Sequence, residues 1–143
     1  MFSSPVRVVM DKSKFLTAAP QTTVFEASQK MLQQKAGAVL VVEDQRLVGI
    51  FTERDAVFRV IAQDLDPRAT PLADVMTMAP RTIAPEQSFG YAMIQMYENG
   101  FRHMPVVEDG KPIGIVSARN ALDPDLEEFA SEAQRRKHIR DVG

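Results

Sequence analysis

The chain contains no cysteine, which excludes a disulfide scaffold, a thiolate zinc site and a cysteine nucleophile together. Histidine is nearly as scarce. The two present, His103 and His138, stand too far apart in sequence to suggest a local metal-binding pair, so no metal is expected. The longest apolar run, residues 36–42, has seven residues, where a membrane helix needs about 20. Residues 1–9 lack the apolar core of a signal peptide, so no membrane contact and a cytoplasmic location are expected. Charge of one sign is also missing: 17 basic residues face 19 acidic ones, for a net −2, and no global field draws nucleic acid or an anionic surface. Glycine-rich phosphate loops are absent, since Gly110-Lys111-Pro112-Ile113-Gly114 lacks the spacing of a P-loop. His103 has no nucleophile beside it in sequence, a poor start for a triad. No catalytic residues are assigned, and the chain reads as a non-enzyme that requires no cofactor.

What is present is an ordinary globular composition, with 45% hydrophobic and 25% charged residues. The 143 residues match one domain of ~100–150 residues. The sequence also repeats itself. Sliding it by 65 positions sets residues 17–56 on 82–121, and thirteen of those forty pairs are identical. They fall in blocks, among them Val41-Val42-Glu43-Asp44 on Val106-Val107-Glu108-Asp109, and Gly49-Ile50 on Gly114-Ile115. Upstream, Val9-Met10 matches Val75-Met76 after a one-residue shift. Two copies of one small fold follow, residues 5–65 and 66–122, with a separate tail over 123–143.

Both copies carry the same order of elements. Thr23-x-x-Glu26 reads as a capping box ahead of Val24, Ala27, Ser28, Met31 and Leu32, spaced as one helix face. Residues 36–42 suit a buried strand, 47–51 a second one, and Thr52 opens a helix with apolar Ala56, Val57, Val60 and Ile61. In copy two Ser88 caps a helix that aligns Phe89, Ala92, Met93, Met96 and Tyr97. Asp109-Gly110 signals a hairpin between strands 103–107 and 112–116, and Ser117 opens the closing helix. One copy cannot bury both of its apolar helix faces, so a joint core of quasi-twofold symmetry is expected. In the tail, Asp123-Pro124 starts a helix with acidic residues early and Arg135, Arg136, Lys137 and Arg140 late. Four charges make a thin nucleic-acid footprint, and no such partner is expected.

Taken in order, these blocks resemble a tandem pair of CBS domains (the cystathionine-β-synthase domain pair, or Bateman module) over roughly residues 5–122. Gly49-Ile50-Phe51-Thr52-Glu53-Arg54-Asp55 is similar to the family's nucleotide signature G-h-x-T/S-x-x-D. The run 99–107, Asn-Gly-Phe-Arg-His-Met-Pro-Val-Val, resembles the segment that faces phosphates in nucleotide-binding members. The resemblance implies an α+β fold of two β-α-β-β-α repeats with two clefts between them. It also implies a non-catalytic regulatory role, homodimers, an as yet unknown regulated protein partner, and adenine ligands such as AMP, ADP, ATP or NAD for energy or redox sensing. Carried onto this chain, one cleft holds Ile50, Thr52, Arg54 and Asp55 with Thr82, Ile83, Arg102, His103, Met104 and Pro105. The other holds Ser117 and Asn120 with Thr17, Ala18, Ala38, Val39 and Leu40. It departs from the pattern twice: Asn120 replaces the aspartate, and Gly37-Ala38 replaces the Arg-His pair. The Asp55 cleft is therefore expected to be the better nucleotide site.

The residues themselves support that chemistry. An ionised Asp55 accepts from the vicinal hydroxyls of a ribose, and hydrogen bonds to a charged group contribute about 1.5–3 kcal/mol each. Thr52 would offer a hydroxyl and N–H groups to phosphate at a helix start. Arg102 supplies a forked donor and His103 a pH-dependent one, while Ile50, Ile83, Met104 and Pro105 would wall the base. The same residues also read plainly, Thr52-x-x-Asp55 and Ser117-x-x-Asn120 as helix caps and Arg102 as a solvated side chain. A ligand-free dimerisation or protein-interaction module is the alternative to a nucleotide sensor.

Overall fold

A computed structural model describes residues 2–10 and 15–121; the tail helix expected over 123–143 lies outside them. The elements are α1 (Val6–Val9), β1 (Leu16–Ala18), α2 (Val24–Gln34), β2 (Ala38–Glu43), β3 (Arg46–Thr52) and α3 (Glu53–Asp55), which continues as a wide helical stretch, Ala56–Ile61. Then come α4 (Leu72–Val75), β4 (Thr77–Met78), α5 (Phe89–Asn99), β5 (His103–Glu108), β6 (Lys111–Ser117) and a tight 3-10 turn, Ala118–Ala121. This is an α+β fold of two repeats. No helix among the described residues is long and apolar enough to cross a membrane.

Local chemistry sets each element. Thr23 caps α2 by accepting from the Glu26 N–H at 3.2 Å, and Ser88 caps α5 through the Tyr91 N–H at 3.1 Å. The return bond that would complete a box at Thr23 is not made; the complete capping box belongs to Thr52 and Asp55. Both helices end in a left-handed residue, Lys35 at φ 53° and Gly100 at φ 72°. β2–β3 and β5–β6 are antiparallel hairpins turned at Asp44-Gln45 and Asp109-Gly110, all four with positive φ, as a twist-matched two-residue turn requires. Each hairpin carries a register shift at equivalent places, Val41/Val42 and Val106/Val107. β1 lies parallel to β2 and β4 antiparallel to β3, making a four-stranded sheet in the order β1-β2-β3-β4. In the second repeat the matching first strand shrinks to one parallel bridge, Ile83 to Val106.

Three apolar expectations need correction. Leu32 and Tyr97 point to solvent, at 79% and 89% exposure. Eight residues past the first core position, each has rotated roughly 80° off the buried stripe. After Asp55 the helix widens: Ala62 donates to the Val57 carbonyl at 2.8 Å and Leu65 to Val60 at 3.0 Å, an i→i−5 pattern. The wider turn keeps Val60 inside and puts Val57 and Ile61 outside. The first long strand starts at Ala38 rather than Ala36, because Ala36 still closes α2, its N–H donating to the Met31 carbonyl at 3.0 Å.

The two repeats exchange parts. Val6 and Met10, at the start of the chain, are buried with Phe89, Met96, Met104 and Val116 of the second repeat. Leu72, Val75 and Met76, near the start of the second repeat, are buried with Val24, Val39, Val41 and Phe51 of the first. Backbone bonds hold both exchanges, Val6 N–H to the Gln87 carbonyl at 2.7 Å and Leu72 N–H to the Thr22 carbonyl at 2.8 Å. Gly49 permits the second one, since a Cβ there would overlap the Met76 sulfur. A third cluster, Ala38, Leu40 and Ile50 with Phe15, Leu47 and Ile115, joins the sheets of the two repeats. Each helix face thus has a cover that its own repeat does not supply, which is the physical reason for the pair.

Candidate functional site

The seam between the repeats opens into two cavities. The larger, about 1120 Å³, lies between the end of β3 with the helix that follows it and the C-terminal end of α5. It is slightly larger than the ~300–1,000 Å³ usual for small-molecule pockets. Of the residues expected to share a cleft with Asp55, it brings together Ile50, Thr52, Arg54, Asp55, Arg102 and His103.

Asp55 is only 8% exposed, and its carboxylate is largely occupied. Oδ2 accepts from the Thr52 N–H at 3.0 Å and from Thr52 Oγ1 at 3.2 Å. Oδ1 lies 3.5 Å from the Arg59 Nε. The plain cap reading is therefore realised, and both donors of Thr52 are turned onto Asp55 instead of standing free for phosphate. A carboxylate has about four acceptor positions, so Oδ1 keeps capacity for a further donor. Asn120 repeats the arrangement, its Oδ1 accepting from the Ser117 N–H at 2.7 Å and Oγ at 3.2 Å.

Four expected residues do not line this cavity. Ile83 is buried in the core beneath α5 and bridges to Val106. Met104 alternates with His103 along β5 and so faces that same core. Pro105 is buried, its carbonyl accepting from the Ile83 N–H at 3.0 Å, and Thr82 is exposed elsewhere. The wall they were expected to form is built by Thr77, Ala79, Pro80 and Arg81 upstream and by Asn99, Gly100 and Phe101, with Val57, Phe58 and Arg59 closing the helix side. Only the run 99–101 had a signal in the sequence, as the beginning of the segment already singled out.

Charge in the larger cavity is unevenly committed. Arg54, Arg59, Arg81 and Arg102 face Glu53 and Asp55. Arg54 donates to the Gly100 carbonyl at 3.3 Å and sits 5.5 Å from the Phe58 ring centroid. Arg59 donates to the Val75 and Met76 carbonyls at 3.3 and 3.0 Å, and Arg81 to Gln95 Oε1 at 2.8 Å. Among the described residues Arg102 alone of the four makes no side-chain hydrogen bond. Burial pushes the His103 imidazole below its ordinary pKa; the carboxylate of Glu53 opposes this, and Arg119 and Arg102 reinforce it.

The second cavity, about 790 Å³, contains Ala38 and Ser117 of the seven residues expected there. Val39 and Ala18 belong to the first repeat's core and Leu40 to the core between the sheets. Thr17 points outward between them, and Asn120 stays on its cap. Phe15, Met31, Lys35, Gly37 and Arg119 take their places.

A family model described as CBS domain matches residues 6–62 and 72–126. The chain is 34% identical over 128 residues to the CBS domain-containing protein CBSCBSPB1 of Arabidopsis thaliana, covering 89% of this chain and 24% of that protein. The chain thus spans about a quarter of that curated relative's length. Among solved structures, an uncharacterized conserved protein from Pyrococcus horikoshii superposes with a TM-score of 0.80 at 31% identity, over 87% of this chain and 94% of that one. The CBS domain pair of protein MJ0100, solved in complex with 5′-methylthioadenosine and S-adenosyl-L-methionine, shares the fold with a TM-score of 0.74 at 22% identity, over 82% and 96%.

Proposed function

We propose a function from one premise: this chain belongs to the CBS domain family and carries two CBS domains in tandem. On that premise it is a regulatory module that binds an adenine nucleotide, AMP, ADP, ATP or NAD, in the larger cavity and passes the bound state to a partner protein. The observation that carries this reading is the meeting of Ile50, Thr52 and Asp55 from one repeat with Arg102 and His103 from the other around one cavity. Asp55 takes a ribose hydroxyl on Oδ1, with Thr52 and Arg59 holding the carboxylate in place. Arg102, whose side chain makes no hydrogen bond among the described residues, takes phosphate oxygens in a forked bond. Ile50, Phe58, Pro80 and Phe101 supply apolar surface for the base. The adenosine ligands in the MJ0100 pair support this class of ligand. A ligand touching both repeats favours the arrangement in which they close on it, and a partner that prefers the same arrangement gains affinity by linkage.

Thermal denaturation with AMP, ADP, ATP and NAD tests the reading. A ligand at 100 times its Kd adds ~2.7 kcal/mol of stability, so at least one of the four raises Tm. Val57, Phe58, Ile61, Ile94 and Tyr97 are exposed at 48% or more, a surface suited to a homodimer. This favours a second reading, a ligand-free dimerisation module. No shift with any of the four compounds, together with a dimer by native mass spectrometry, establishes that second reading and discards the first.

A further inference from the structure

Glu53, Arg102 and His103 line both cavities. They form a polar partition that carries two charges, and the sequence repeat explains why there is only one. The offset of 65 places Gly37-Ala38 where the second repeat has Arg102-His103, and Ala118 where the first has Glu53. Pseudosymmetry offers room for two Arg-His pairs, and the chain supplies one. The missing side chain at Gly37 is what admits the partition. A Cβ there would stand 3.0 Å from His103 Cε1, 3.1 Å from its Nε2 and 3.2 Å from Glu53 Oε1. The imidazole and the carboxylate therefore crowd one point above Gly37. The backbone of the partition is held by the Glu53 N–H to the Gly37 carbonyl at 3.1 Å and the Ala118 N–H to the Arg102 carbonyl at 3.0 Å.

We infer that the two cavities are negatively coupled through Arg102: an anion held in one weakens anion binding in the other. This inference rests on the nucleotide reading above. The smaller cavity has Lys35 and Arg119 of its own, enough to attract an anion, but it borrows Arg102. A guanidinium that forks onto phosphate in the larger cavity has its planar donors fixed there. A second polyanion in the smaller cavity then finds the guanidinium it would borrow already committed. Reciprocity requires the same penalty in both directions, and couplings of this kind are about 5–150-fold.

Methyl NMR on the full chain separates the sites, because Leu32 lines only the smaller cavity and Val57 only the larger. Inorganic pyrophosphate is titrated while the Leu32 methyls are followed, first alone, then with ATP at the end point of the Val57 shift, then with adenosine at the same end point. The expected result is pyrophosphate binding at Leu32 that weakens at least tenfold under ATP and is unchanged under adenosine. In Arg102→Ala the ATP effect falls below threefold. Equal pyrophosphate affinity under ATP and adenosine, with Val57 responding to both, overturns the coupling and leaves the nucleotide reading intact. A Leu32 signal that never responds to pyrophosphate also overturns the coupling. A Val57 signal that responds to no adenine compound overturns the coupling and the nucleotide reading together.

Discussion

Asp55→Asn exchanges one carboxylate oxygen for an amide nitrogen, and the second repeat shows that the fold accepts this. Asn120 holds the equivalent cap with one oxygen, 2.7 Å from the Ser117 N–H and 3.2 Å from its Oγ. In the variant the amide oxygen keeps the two bonds from Thr52, and what disappears is the negative charge and the 3.5 Å pairing with Arg59. The Arg59 side chain is half exposed, and pairs of that kind are worth about 0–1 kcal/mol, so stability falls by no more than about 1 kcal/mol. Binding responds differently. With the amide oxygen held by Thr52, the group at the Oδ1 position becomes a donor, so the ribose hydroxyl loses a charged acceptor whose hydrogen bond contributes about 1.5–3 kcal/mol. That is a loss of affinity of about tenfold or more at roughly 1.4 kcal/mol per decade. Calorimetry with AMP and with its 2′,3′-dideoxy analogue isolates the term. The wild-type protein prefers AMP, and the variant loses most of that preference while its urea midpoint barely moves. Undiminished AMP affinity in the variant, or an unchanged preference over the dideoxy compound, refutes the assignment of Asp55 to the sugar. Asp55→Ala is the less informative change, because it also removes the two bonds that Thr52 donates to Oδ2.

Two further outcomes follow from packing and charge. Burial holds His103 neutral in the native state at pH values where the unfolded chain takes up its proton, near an ordinary pKa of about 6.5. The unfolded state then binds more protons, so stability is full above that pH and declines as the pH drops, until the folded-state pKa is passed. Urea midpoints compared at about pH 5 and about pH 7.5 show a smaller decline for His103→Gln than for wild type, and equal declines would refute the buried-imidazole account. Leu72→Ala empties a fully buried position in the first repeat's core, with an expected cost of ~2–5 kcal/mol. Hydrogen exchange should then accelerate in α2 and β2 before α5, although Leu72 follows the first repeat in sequence; early loss of α5 would show that the exchanged helix does not serve the first repeat.

Much of the architecture is legible in the sequence, and the reason is short range. Caps at Thr23, Thr52 and Ser88 join residues three apart, and the hairpin turns join strand ends with two residues between them. The strand runs declare themselves by unbroken β-branched apolar character. The 65-residue offset makes each local signal occur twice, so the pair can be read without knowing how its halves meet. Asp55 and Asn120 as cap residues, and Arg102-His103 at the head of a strand, were placed by the same local rules.

Which surfaces meet was decided at long range. Alternation along β5 says that Met104 and His103 face opposite sides; it does not say which side faces the cavity, and Met104 proved to face the core. Nothing within a few residues of Val6 or Leu72 announces that each completes the other repeat's core. That choice balances the apolar area left uncovered on every face of the molecule at once. The crowding of His103 and Glu53 above Gly37 is of the same kind, because the absence of a side chain gains meaning only when a distant one moves into the space.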